Sequence, residues 1–178
     1  MHSLTEVADQ DLLWTPSPGQ KKTYELRAGE EIMGTVRFER SSLATAEVSG
    51  ASWTFKREGF WHPRVTIRLA GSATDLAIFR PGWTGAGTLE LPPTRQIHWR
   101  SAGFWQSSWT WQEADGRPLV HFKSRHKWAK MEGEVAVEPV ATDLAELPLL
   151  VALGWYLLVL LAQDTAASVA TTVAVTST

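Results

Sequence analysis

A chain of 178 residues, 44% hydrophobic and 10% aromatic, can bury one sizeable core, and its length fits one domain better than two. The absence of cysteine removes disulfides, thiolate nucleophiles and cysteine metal ligands, and nothing demands an oxidising compartment. All 17 Lys and Arg residues lie at or before Lys130 with 13 of the 19 acids, an excess of about +4 that is too small and scattered to mark a nucleic-acid binder.

The first residues, MHSLTEVADQDLLW, hold three acids, no Lys or Arg and no long apolar run, unlike a secretory signal, so a cytoplasmic protein is expected. Residues 1–22 read as an irregular arm ending in the turn-rich TPSPGQKK. From Thr23 a period of two sets in. In EIMGTVRFE, Ile32, Gly34, Val36 and Phe38 fall on one face and Glu31, Thr35, Arg37 and Glu39 on the other, the pattern of a half-buried strand. It recurs in SWTFKR, RVTIRL, GTLEL, QIHWR, SWTWQ, PLVHFK and EVAVE, separated by Gly, Pro and Asp-Gly turn signals.

GFW occurs at Gly59–Trp61 and again at Gly103–Trp105. Aligning the two sites pairs Phe55 with Trp99, Val65 with Trp109 and Ile67 with Trp111, a repeat of about forty-four residues. Two such units cannot close a propeller ring, so a single barrel in two similar halves is expected. The aromatic pair of each GFW is expected to plug the barrel rim or pack between hairpins, with Gly supplying the turn.

The chain then changes character. LPLLVALGWYLLVLLA, residues 147–162, carries no charge and is preceded by Asp143 and Glu146, a capping pair, with Pro148 tolerable in a first turn. A helix apolar on all sides must be surrounded by protein or by lipid. Its sixteen residues span about 24 Å, short of a roughly 30 Å hydrocarbon core, which favours protein over an integral membrane span. A barrel of about twelve strands is wide enough to hold such a helix, whereas eight strands fill their own interior. The expected organisation is a barrel over 23–164, a central helix over about 144–164, and an Ala/Thr/Val-rich tail over 165–178. Trp53, Phe55, Trp61, Trp99, Trp105, Trp109, Trp111, Phe122 and Trp155 are the expected aromatic core.

A two-halved antiparallel barrel whose last element is the apolar helix ELPLLVALGWYLLVLLAQD resembles the tubby C-terminal-like superfamily, which includes phospholipid scramblases and the LURP-one-related proteins. The resemblance covers residues 23–164. It implies a twelve-stranded barrel around a buried helix and an association with lipid head groups, without assigning head-group contacts to particular residues. Scramblase-like calcium binding finds no support, since Glu113 and Asp115 in QEADG fall short of a loop with five or more oxygen ligands.

Chemistry-bearing motifs are sparse. His2, His62, His98, His121 and His126 show no HExxH spacing, no GxSxG surrounds a serine, and GWTGAG precedes a strand where a dinucleotide fingerprint would precede a helix. No enzyme activity, metal or cofactor is therefore expected. One basic row stands out: in HFKSRHKWAK, Lys123, Arg125 and Lys127 alternate onto the face opposite Phe122, and Lys130 follows, a row that could grip anionic phospholipid head groups. The expected function is a non-enzymatic binding or scaffold protein for anionic lipid or a protein partner. Two alternatives stand beside it: a tail-anchored membrane protein, and a binding module using Trp105, Trp109 and Trp111 as platforms for a planar ligand.

Overall fold

Apolar-polar alternation produces twelve strands in the computed structural model, which describes residues 4–103, 107–127 and 130–176, with backbone alone for Lys127 and 171–176. They are β1 Leu12–Pro16, β2 Thr23–Ala28, β3 Glu31–Phe38, β4 Leu43–Val48, β5 Ala51–Glu58 and β6 Arg64–Leu69. The second six are β7 Asp75–Pro81, β8 Gly87–Leu91, β9 Arg95–Ser101, β10 Ser108–Glu113, β11 Pro118–Lys127 and β12 Lys130–Val137. Each pairs antiparallel with its chain neighbours, and β12 returns to β1 through Leu12↔Val135, Leu13↔Glu134 and Trp14↔Gly133, closing the barrel. Closure removes every exposed sheet edge.

The closing strand lies inside the expected irregular arm. Leu12 and Trp14 alternate inward and are buried, while Pro16 sits at the strand's end, where a missing N–H is tolerated. The prolines and glycine that follow, at 16, 18 and 19, make the turn into β2.

The repeat is richer than two halves. The register shifts between Ile67 and Arg68 against β7, and again between Trp111 and Gln112 against β11, equivalent positions forty-four residues apart. A third shift falls between Leu26 and Arg27 against β3. Each group of four strands thus carries one bulge between its second and third strands, so the barrel has a threefold pattern. A bulge inserts one residue and reverses the side-chain phase. On β3 the extra residue is Met33, which is buried, and Ile32 is turned outward at 43% exposure, against the simple alternation.

A short helix α1, Leu4–Val7, and a 3-10 turn, Pro139–Ala141, close the lower mouth, the end at which odd-numbered strands begin. Leu4 and Val7 are buried, the Leu4 amide donates to Ser49 Oγ, and Thr5 Oγ1 donates to the Thr142 carbonyl. From there α2, Leu147–Thr176, runs up the barrel axis. It starts three residues later than expected, after the Pro139–Ala141 turn, and continues through the expected tail because no Gly or Pro follows to stop it.

Between 147 and 160 nearly every α2 residue is buried. Its partners come from all around the wall. Trp155 stacks on Trp14 of β1 at 5.7 Å and meets Tyr24 of β2 edge-on; Tyr156 stacks on Phe38 of β3 at 5.5 Å. Trp111 Nε1 of β10 donates to the Leu150 carbonyl at 2.9 Å. Gly154 and Gly133 make close approach possible: a Cβ on the first would strike the Phe122 ring, and one on the second the Trp155 ring. Of the expected aromatic core, Trp53, Phe55, Trp99, Trp109, Trp111, Phe122 and Trp155 are buried. Trp105 lies outside the described residues. Trp61 is a correction, at 84% exposure, because the alternation of β5 ends before the hairpin tip that carries it.

Candidate functional site

The two ends of the barrel differ in charge. At the lower end, the loops and N-terminal segment hold Glu6, Asp9, Asp11, Glu30, Asp115, Glu138, Asp143 and Glu146 against Arg117. The upper loops hold Lys21, Lys22 and Arg40 against Glu39. Upper strand ends and the emerging helix add Arg37, Arg57, Arg64, Arg80, Arg100, Lys127 and Lys130 against Glu58 and Asp164. Antiparallel connection returns every second turn to the same rim, so the charges carried by alternate turns collect at one end.

The upper rim also carries the exposed aromatics. Residues 59–63, GFWHP, join β5 to β6 and leave Phe60 89% and Trp61 84% exposed; residues 82–86, GWTGA, join β7 to β8 and leave Trp83 fully exposed. Gly59 adopts φ +87°, and a Cβ there would lie 2.5 Å from the His62 carbonyl oxygen, so this turn requires glycine. Phe60 and Trp61 meet edge-to-face at 5.3 Å. The expectation that this aromatic pair plugs the rim or packs between hairpins is thereby corrected; it points to solvent. For the second GFW, Phe104 and Trp105 lie outside the described residues.

Here α2 leaves the barrel. Arg57 donates twice to the Asp164 carboxylate, at 2.6 and 3.0 Å, and that hydrogen bonding holds the guanidinium pKa above its usual value. Just below, Tyr156 Oη donates to the Ser42 carbonyl at 2.5 Å, and burial pushes the phenol pKa up. From 163 to 170 α2 is exposed. A crevice of about 390 Å³ separates it from the aromatic hairpins, with Val65, Leu157, Leu160 and Leu161 on its apolar floor. A second, of about 690 Å³, separates it from the upper ends of β10–β12.

Of the basic row on β11, Lys123 and Arg125 are exposed and face acids across the β12 register. Arg125 pairs with Glu134 of β12, and the register sets Lys123 opposite Glu134 and Arg125 opposite Glu132. Lys127 and Lys130 face each other across the top of the hairpin. Lys21, Lys22, Arg40 and Arg100 are exposed and, like Lys123 and Lys130, make no ion pair among the described residues. Sequence reasoning missed the aromatic tips, although Gly59 and Pro63, and Gly82 and Gly85, bracket each as a turn.

Two histidines make repeated outward contacts. Thr88 Oγ1 lies 3.1 Å from His98 Nδ1, and Thr110 Oγ1 lies 3.1 Å from His121 Nδ1, whose Nε2 is 2.7 Å from Glu138 Oε1. Thr110, His121 and Glu138 have the order of a nucleophile, base and orienting acid. Thr110 is 2% exposed, so no substrate reaches its hydroxyl, and the line acts as a cross-strand brace. Among the described residues, no group of three or more His, Asp or Glu side chains could hold a metal ion. Glu113 is paired with Arg95 at 2.7 Å and Asp115 with Arg117 at 2.8 Å. No protein-family model, curated protein or solved structure matches the chain.

Proposed function

We propose that this chain is a non-enzymatic binding protein that stands end-on against anionic lipid head groups, with its upper rim towards the lipid. The observation that carries this is the segregation of charge along the barrel axis. A basic pole is drawn to an anionic leaflet while an acidic pole is repelled, and each basic side chain near such a surface contributes about 1 kcal/mol. The contact centres on the rim residues Lys21, Lys22, Arg40 and Arg100, because on β11 Lys123 and Arg125 stand opposite Glu134 and Glu132. Kinship with the tubby C-terminal-like superfamily belongs to the same proposal, supported by the strand number and the enclosed helix, as does a cytoplasmic leaflet as the surface met. Trp109 and Trp111 are fully buried, which leaves a planar-ligand module without these two platforms.

Cosedimentation with phosphatidylcholine vesicles, with and without phosphatidylserine, tests the proposal. Binding should require phosphatidylserine, weaken as salt rises, and fall strongly in the K21Q/K22Q/R40Q/R100Q variant, while K123Q/R125Q has a smaller effect. Binding that is absent, or indifferent to phosphatidylserine, overturns it and leaves a protein partner as the occupant of the rim.

A further inference from the structure

We propose, on the presupposition of the end-on docking above, that the upper rim enters the bilayer. The tips of the β5–β6 and β7–β8 hairpins, bearing Phe60, Trp61 and Trp83, and the emergent end of α2 insert past the head groups of an anionic membrane. Three large aromatic side chains at 84% exposure or more are an anomaly in a chain that buries its other described tryptophans. Each presents on the order of 150 to 250 Å² of largely apolar area to water. Gly59 at φ +87° and Pro63 shape one of these turns, and Pro81 precedes the other. Amphipathic rings on rigid tips, set within a basic collar, match the boundary between head groups and hydrocarbon, where Trp is favoured.

The helix end has the matching chemistry. Residues 165–178 carry no charge. Thr165 Oγ1 donates to the Leu161 carbonyl at 2.8 Å and Ser168 Oγ to the Asp164 carbonyl at 3.0 Å, so these hydroxyls are satisfied within the helix, as a low-dielectric medium demands. Beyond Asp164 the helix continues for residues 165–176, about 18 Å at 1.5 Å per residue. One leaflet's share of a roughly 30 Å hydrocarbon core is about 15 Å. The stretch through residue 176 is therefore long enough to reach through one leaflet, and the Arg57–Asp164 pair marks the plane at which it enters.

The absence of cysteine makes the test direct. Single cysteines placed one at a time by Trp61→Cys, Trp83→Cys, Val169→Cys and, at the lower pole, Asp115→Cys are labelled with an environment-sensitive nitrobenzoxadiazole dye. On adding vesicles containing phosphatidylserine, labels at 61, 83 and 169 should shift to the blue and become shielded from iodide, and the label at 115 should do neither. A second variant, F60S/W61S/W83S, alters exposed residues only and should keep its near-UV circular dichroism while losing at least about tenfold in vesicle affinity. Protein that binds vesicles while labels at 61 and 83 stay as accessible as that at 115 overturns the insertion and leaves surface docking standing. Protein that does not bind vesicles at all removes both.

Discussion

The two ends of α2 belong to one unbroken helix and differ in what surrounds them. Within the barrel, residues 147–160 are Leu, Val, Ala, Gly, Pro, Trp and Tyr, and almost all are buried; beyond Asp164 the helix is Ala, Thr, Ser and Val, exposed as far as 170. The difference is one of fit. A twelve-stranded wall leaves a gap around a helix about 10 Å across, and large residues fill it except where Gly133 and Gly154 let a ring pass. Past the rim no wall exists to be filled, and only the polarity of the next medium constrains the side chains.

Removing the inner end should have the largest effect. A chain ending at Thr142 loses a row of buried leucines, each contributing about 1.5 to 3 kcal/mol against a total stability near 5 to 15 kcal/mol. It should lack near-UV circular dichroism and aggregate, whereas a chain ending after Asp164 should fold, since residues 165–170 are exposed. Equal behaviour of the two truncations would erase the contrast.

Smaller changes sharpen it. Gly154→Ala should cost about 1 to 3 kcal/mol in denaturant unfolding, because its Cβ meets Phe122 in a packed core. Ala170→Leu, on the emergent end, should leave unfolding unchanged. Trp111→Phe removes the hydrogen bond to the Leu150 carbonyl and should cost about 0.5 to 1.5 kcal/mol.

How much of this was readable beforehand depended on whether the deciding contacts were local. Alternation locates strands, and most of the wall is legible from it. The enclosed helix followed from its unbroken apolar surface. Bulges are set by pairing across strands, so Ile32 and Met33 exchanged faces without a local sign. Pro16 and Pro18 hid β1 because the strand ends within the turn signal. The GFW turn is legible from its glycine, but whether Phe60 and Trp61 fold onto the rim or face solvent is set by tertiary packing, and Trp61 faces solvent. Lys123 and Arg125 of β11 face outward as alternation requires, but the acids opposite them are set by the β12 register, which no local pattern reveals.

The smallest expected effect is on acid stability. Glu25 is held below its usual 4.5, first by the Ser17 hydroxyl at 2.5 Å and then by Arg27. A carboxylate depressed in the folded state stabilises it above pH 4.5, and that contribution is lost as pH falls through the folded value. Ser17→Ala should therefore lower the melting temperature slightly at neutral pH and make little difference once the carboxylate is protonated in both proteins.

Hydrogen exchange along α2, with and without vesicles containing phosphatidylserine, tests the two-ended helix most directly. Amides of 151–160 should exchange only through global unfolding in either medium, and amides of 166–176 should exchange quickly in buffer and slowly on the vesicles. Rapid exchange of 151–160 in buffer, or a vesicle-indifferent outer end, would contradict it.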